Sequence, residues 1–523
     1  MMISLKYKGV KLNRILITLS LITLTTINFS CKKVLDVQST RLAAEENLWK
    51  NQEDAKGALI GIYTLMRTAM VADNTHWLMG DLRNGDFVST NRSDLAAIID
   101  GQLNASYPLL NNITNWRRFY SVINAASLFI ERSREIVAND PRYTPINNQV
   151  DVAQARAMRA FAYFYMSRIW GNVPLLITSH DGDFTTHPRA SKDKILAFAT
   201  SELLLAVKIL PYRYGGTDPI FPGLYYGNSW PTWNGVLLTK LSAYAILAHI
   251  AAWQGNYLDC EAYTKFFVDN TSQLNGDGSF GVKFISTDEL TENVNGYSPF
   301  AFKRAVQIVG FGFEYGNGEA TANGHLEQLT LAKPLILKEY PEIYVPKDTI
   351  RKVFTDNRDL RFSIDPLTNL YRTNYFTNYS SERPLFSKIK VIGNAQTSGN
   401  FAFFTSAVLF TRIEEVTLLR AEALAVLGLR NDAINALNQA STLRGTSPYL
   451  SNSSTDLLDA IFAERRRELM GEGWRWYDLV RYNKIKKDNA VFNSLIASDG
   501  IYWPVSRDIL NSNPKIKQNP YWN

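Results

Sequence analysis

Apolar residues recur every three to four positions through most of this chain, a period that predicts helices. Glu45–Met70 carries Leu48, Trp49, Ala55, Leu59, Ile62 and Tyr63 at that spacing. Trp116–Val137 repeats it through Phe119, Tyr120, Ile123, Ala126, Leu128 and Ile130. Val152–Trp170 is a third segment, stopped by Gly171 with Pro174 beyond, and Lys192–Leu210 a fourth, stopped by Pro211. Two helix pairs follow. Gly235–Trp253 and Tyr257–Val268 are joined by Gln254-Gly255-Asn256, and Arg412–Leu427 and Asp432–Leu443 across Gly428. Short Gly-containing turns between helices with small facing residues resemble tetratricopeptide repeats. The expected fold is mainly α: tetratricopeptide-like helix pairs forming a curved scaffold, with a loop-rich second lobe carrying little β structure.

Thr455–Asn483 is the densest stretch. Thr455 is suited to cap a helix and Asp456 to its first turn, with Leu457, Leu458, Ile461, Phe462, Leu469 and Met470 as its apolar stripe. Glu464/Arg467 and Arg465/Glu468 stand three apart, which predicts neighbours on the helix surface. Gly471 and Gly473 break the run before Trp474, Trp476 and Tyr477. These aromatics either form a ligand platform or dock one helix on the next; their place within a helical stripe favours docking.

Between the helices, Asp73–Asn91, Phe221–Trp233, Asn295–His325 and Tyr371–Tyr379 are rich in Gly, Asn, Asp and aromatics without a period. Long irregular segments of this composition predict functional loops. A sugar ring offers an apolar C–H face for an aromatic ring and hydroxyls for Asn, Asp and Arg. Asp73, Trp77, Asp81, Arg83, Asn84 and Asp86 supply both kinds of group in one segment. Tyr226 with Trp230, and Tyr315 with Asn317, supply them in two others. These ten residues are the candidate ligand contacts. Each aromatic has the alternative task of pinning its own loop to the scaffold.

Composition narrows the class. The 523 residues are 46% hydrophobic and 20% charged, enough for one large core. Four of the cations behind the net +7, Lys6, Lys8, Lys11 and Arg14, precede an apolar run, Ile15–Ile27, and then Asn28-Phe29-Ser30-Cys31. This pattern predicts a signal peptide over 1–30 and a mature chain over 31–523, with Cys31 acylated at its new N-terminus. Removing those four cations leaves +3, a balance that predicts no nucleic-acid partner. Cys260, the other cysteine, falls in a helical pattern as a small buried hydrophobe.

Catalytic patterns are missing. The five histidines are scattered, with no HExxH, P-loop, GxSxG, or GxGxxG opening a helix, and no cysteine cluster suits zinc. No cofactor and no metal is expected. Two carboxylate pairs, Asp81/Asp86 and Glu314/Glu319, lie within single loops and keep an all-α glycoside hydrolase as a lesser alternative.

The motifs converge on one family. ERRRELMGEGWRWYDLVR (464–481), QARAMRAFAYFYMSRIWGNVPLL (154–176), RIEEVTLLRAEALAVLG (412–428) with DAINALN (432–438), YWP (502–504) and the tail QNPY (518–521) resemble, in order, those of the SusD/RagB-like nutrient-binding outer-membrane lipoproteins. The signature region is 412–523. QASTLRG (439–445) departs from the pattern by lacking a second arginine, as do the Trp522-Asn523 extension and Lys32-Lys33 after the cysteine. The resemblance implies a lipid-anchored protein of the cell outer membrane facing outside. It would capture an oligosaccharide, or a peptide, and deliver it without catalysis to a SusC-like TonB-dependent transporter. It also implies helical repeats facing the transporter and a loop lobe holding the ligand.

Overall fold

The computed structural model describes residues 48–179, 186–274, 282–292, 298–301, 306–393 and 402–523. Cys31, the start of the first predicted helix and part of the 295–325 loop lie outside the described residues. All the described helices and strands fall in the compact unit Asn51–Asn523.

Helix α1 (Gln52–Val71) starts at Asn51, whose side chain takes the Asp54 backbone N–H while Asp54 takes that of Asn51. That reciprocal cap sets the start seven residues after the apolar pattern does. α2 spans Arg117–Arg132. α3 (Pro145–Trp170) begins earlier than its periodicity predicts, because Thr144 caps it and Pro145 is tolerated in the first turn. It ends where expected, at Gly171, with φ +70°. α4 (Lys192–Ala206), α5 (Lys240–Gln254) and α6 (Tyr257–Asp269) follow, and the α5–α6 turn is made by Gly255 at φ +79°. α7 (Ile413–Val426), α8 (Arg430–Ser441), α9 (Leu457–Glu468) and α10 (Arg475–Lys486) complete the scaffold. Asp456, not Thr455, caps α9, its carboxylate taking the Leu458 and Asp459 N–H groups. α9 stops before Leu469.

From α1 to α8 each helix packs on the next in chain order. Ala248, Ala251 and Ala252 of α5 and Tyr257 and Cys260 of α6 form one cluster with Leu419 and Ala423 of α7, so the two predicted pairs stack although a long insertion separates them. Small residues at this seam let the backbones approach. Cys260 is buried there, as expected. Among the described residues β structure is limited to short two-stranded pieces, the longest joining β1 (Val309–Phe311) to β2 (Val408–Thr411) antiparallel.

The signature stretch is interior. Trp474, Trp476 and Tyr477 are buried, which settles them as docking groups. Glu464 and Arg467 do pair, at 2.7 Å. Arg465 and Glu468 do not face each other on a surface: both are buried, Arg465 on Glu415 and Asp478, Glu468 on Arg361, Arg412 and Arg444.

Candidate ligand-binding site

The last turns of α1 organise an irregular face. Arg67 donates to the Gly312 carbonyl at 2.6 Å and to Glu319 at 2.7 Å, and its guanidinium lies 4.5 Å from the Phe313 ring centre. The loop 312–325 is thereby tied along the helix. One turn on, Gly324 (φ +87°) lies so close to the helix end that an added Cβ would stand 3.0 Å from the Val71 carbonyl oxygen. Asp73 and Asn74 then adopt successive left-handed conformations, φ +55° and +58°. Such backbone is costly for residues other than glycine and clusters at functional sites. It is held by two long-range bonds: Asn74 Nδ2 donates to the His325 carbonyl at 2.7 Å, and Arg118 of α2 pairs with Asp73 at 2.7 Å.

A cleft of about 260 Å³ opens at this junction, lined by Asp73, Asn74, Arg92, Asn323 and Gln328 among others. Its donors and acceptors are guanidinium, amide and carboxylate groups, the chemistry that hydroxyl-rich ligands require. Further along the same loop Tyr315 is 54% exposed. It lies against Gly393, where a Cβ would come within 3.0 Å of both its ring and Thr405. Asn317 is exposed and closes the adjacent turn by donating to Glu314 at 3.0 Å.

Of the ten predicted contacts, Asp73, Tyr315 and Asn317 belong to this face. Asn84 is exposed on a turn at φ +49°. Trp230 is half-buried elsewhere, packed over Gly216 beside Arg213. The other five must be corrected, because they are sealed inside with internal partners. Trp77 packs against His76 and His325. Asp81 takes the Gly473 N–H at 2.6 Å, and burial pushes its carboxyl up to about 7. Arg83 donates to the Gly500 and Ile501 carbonyls and stacks 3.9 Å over Trp476. Asp86 pairs with Arg466, and Tyr226 donates to Asp151 at 2.6 Å. The segment 73–86 is not a free loop: it winds through short helical turns, including a π-type turn at Leu78–Leu82, against the C-terminal signature. Arg92, Arg118, Asn323 and Gln328 escaped sequence reasoning. Arg118 carried only the signal of a polar helix position, Asn323 was one of many polar residues in its loop, and Arg92 and Gln328 stand just past the ends of the irregular segments.

Next in sequence to Gln328, buried Glu327 takes a bond from Ser406 Oγ at 2.8 Å and one from the Val391 N–H at 3.1 Å. Burial pushes its carboxyl up from 4.5 to about 7. A carboxyl raised on folding contributes stability that is fully present below pH 4.5 and lost as pH rises through 7. Glu327→Gln is expected to remove that loss, on the order of 3 kcal/mol by linkage. Urea unfolding of both proteins at pH 5 and pH 8 measures it; parallel pH dependence in the two would contradict it.

Fold and cleft define a helical-repeat protein with a loop-built face. Known proteins agree. The SusD family signature matches residues 368–522. A SusD superfamily protein from Bacteroides thetaiotaomicron, of known crystal structure, is 47% identical; the alignment covers 91% of this chain and 99% of that one, with a TM-score of 0.82. SusD-like protein P38 of Formosa agariphila is 27% identical over 99% of this chain and 100% of its own. A laminarin-binding SusD-like protein shares the fold at 18% identity and TM-score 0.67, over 90% of this chain and 99% of its own. The chain belongs to the SusD family.

Proposed function

We propose that this protein is a cell-surface nutrient-binding lipoprotein that captures oligosaccharides in the cleft between Asp73–Asn74 and the 312–325 loop. The observation that carries the reading is the left-handed Asp73–Asn74 pair at the cleft, held by the His325 carbonyl 251 residues on and by Arg118 of α2, with the half-exposed Tyr315 on the loop that leads to His325. Laminarin binding by a protein of the same fold supports a glycan as ligand. The ligand passes, without a chemical step, to a SusC-like TonB-dependent transporter. Cys31, acylated after signal cleavage, anchors the chain at the outer membrane. Among the described residues no helix is long and apolar enough to cross a membrane, and no group of His, Cys, Asp and Glu suits a metal ion.

Both carboxylate pairs are committed elsewhere, which supports capture over hydrolysis. Asp81 and Asp86 are sealed against Gly473 and Arg466; Glu319 is paired with Arg67, and Glu314 accepts from Asn317. Calorimetric titration of residues 32–523 with laminarin and other β- and α-glucan oligosaccharides tests the reading. Saturable binding is expected, with the glycan recovered uncut. Tyr315→Ala should weaken it about tenfold, the value of one lost ring contact. Cleaved products, or an affinity indifferent to Tyr315, would overturn the assignment.

A further inference from the structure

A second surface carries apolar side chains that no described residue covers. Residues 363–372 form a tight hairpin closed by the Ile364–Tyr371 bridge. Leu367, at its tip, is 94% exposed, and Leu370 68%; Ile364 and Tyr371 flank them and are exposed as well. The hairpin is stiff. Asp365 Oδ1 takes the N–H groups of Leu367 and Thr368, the Asp365 N–H donates to the Leu370 carbonyl, and Arg372 closes the base on Asp365 at 2.8 Å. Tyr371 lies parallel to Phe362, centres 5.5 Å apart, and touches Tyr379 at 4.5 Å. The leucines are therefore held out in water by a structure that pays for their position in advance.

Cations border this projection. Lys347 lies 5.6 Å from the Tyr379 ring and donates to the Ser380 carbonyl; Arg351 and Lys352 follow it, exposed, on the same short helix. Arg383, three residues from Ser380, lies over the exposed ring of Tyr340 at 5.0 Å. Over residues 347–383 Arg361 and Asp359 are buried in the core, and Arg351, Arg358 and Arg372 pair with Asp348, Asp356 and Asp365, so Lys347, Lys352 and Arg383 stand against Glu382 alone. A convex leucine tip in a basic border differs from the flat or grooved apolar patch of a protein interface. It suits a bilayer surface, where leucines enter the headgroup–acyl boundary and cations meet phosphate.

We infer that the 363–372 hairpin is a membrane-contact element that inserts Leu367 and Leu370 into an anionic lipid surface. The inference is independent of the ligand assignment, since it uses none of the cleft residues. It gives the protein a fixed orientation on the membrane, which a lipid chain attached at one point does not supply by itself.

Residues 32–523, which include the entire compact unit and omit the acylated cysteine, are the material for the test. The probes are vesicles of equal parts phosphatidylglycerol and phosphatidylethanolamine, with phosphatidylcholine vesicles for comparison. Flotation should carry the protein with the anionic vesicles and leave it behind with the zwitterionic ones. Leu367→Ser with Leu370→Ser should reduce that binding about tenfold or more, from the apolar area lost. Both positions are exposed, so circular dichroism should show an unchanged fold. Leu367→Cys labelled with an environment-sensitive dye reports insertion directly, because Cys260 is buried and takes no label. A blue shift with anionic vesicles is expected. An unshifted dye, undiminished binding by the serine variant, or a wild type that floats with neither vesicle overturns the inference. Self-association that the serine changes abolish, without vesicle binding, would assign the hairpin to a protein contact instead and overturn it too.

Discussion

Glu468→Gln should cost about 3–5 kcal/mol of stability, the range for removing one partner from a buried ionic network. Glu468 is fully buried, takes bonds from Arg444 at 2.8 and 2.9 Å and Arg361 at 3.1 Å, and forms an ion pair with Arg412 at 2.9 Å. Those three arginines hold Asp359, Glu464, Glu414 and Glu472 in turn, and Lys388 reaches Glu472. Glutamine keeps the shape and removes the charge, leaving three guanidinium groups short of a counter-ion. Burial alone would raise the Glu468 carboxyl, but Arg444 and Arg412 hold it well below 4.5. A carboxyl depressed on folding contributes stability present above its unfolded value and lost as pH falls through the folded one. The variant should therefore be weaker at neutral pH and lose less on acidification. Guanidinium chloride unfolding at pH 7 and pH 3 measures both, because the loss sets in only below 4.5. A loss under about 1 kcal/mol would mean that the arginines find other acceptors.

The same network shows where sequence reasoning reaches its limit. The helices were legible because a 3.6-residue period survives any tertiary context, and caps such as Thr144 and Gly171 shift only their ends. Repeat-like pairing was legible from small residues around Gly255 and Gly428, although the stacking of α6 on α7 had to be inferred. Charged residues at helical spacing carry no label for burial. Arg465 and Glu468 match a surface pair, and only partners 13 to 107 residues away make them core. The binding face suffered the same ambiguity in reverse. Asp81, Arg83 and Asp86 have the composition of a sugar-binding loop, but Gly473, Gly500 and Arg466, some 380 to 420 positions on, take up their polar atoms. Asp73 has the same composition and remains at the surface, because its turn is fixed by Arg118 and His325 at the edge of the scaffold.

Gly80→Ala tests that contact between the 73–86 segment and the signature most severely, and should lower stability by more than about 3 kcal/mol. A Cβ on Gly80 would stand 2.0 Å from the Gly473 carbonyl oxygen and 2.4 Å from its carbon. Both are backbone atoms that cannot rotate away. Gly473 has no room to retreat: its φ is +78°, its own Cβ position is 2.6 Å from His76 Nε2, and its N–H is bound to Asp81. His76 is fixed in turn by Tyr165 at 2.9 Å and the Glu472 carbonyl at 3.1 Å. Relief can come only by moving the π-type turn off the signature, which would also shift Asp73 and Asn74 at the cleft. Glycan affinity should therefore fall together with the unfolding midpoint. Gly57→Ala is the matched control, since Gly57 lies in α1 with nothing within 4 Å of an added Cβ. Alanine there should stabilise the protein by about 0.5–1 kcal/mol, through helix propensity alone. Opposite signs at two helical glycines would show that close backbone approach, not helix preference, joins the cleft segment to the C-terminal signature. A mild effect at Gly80, matching Gly57, would show that the two segments separate freely.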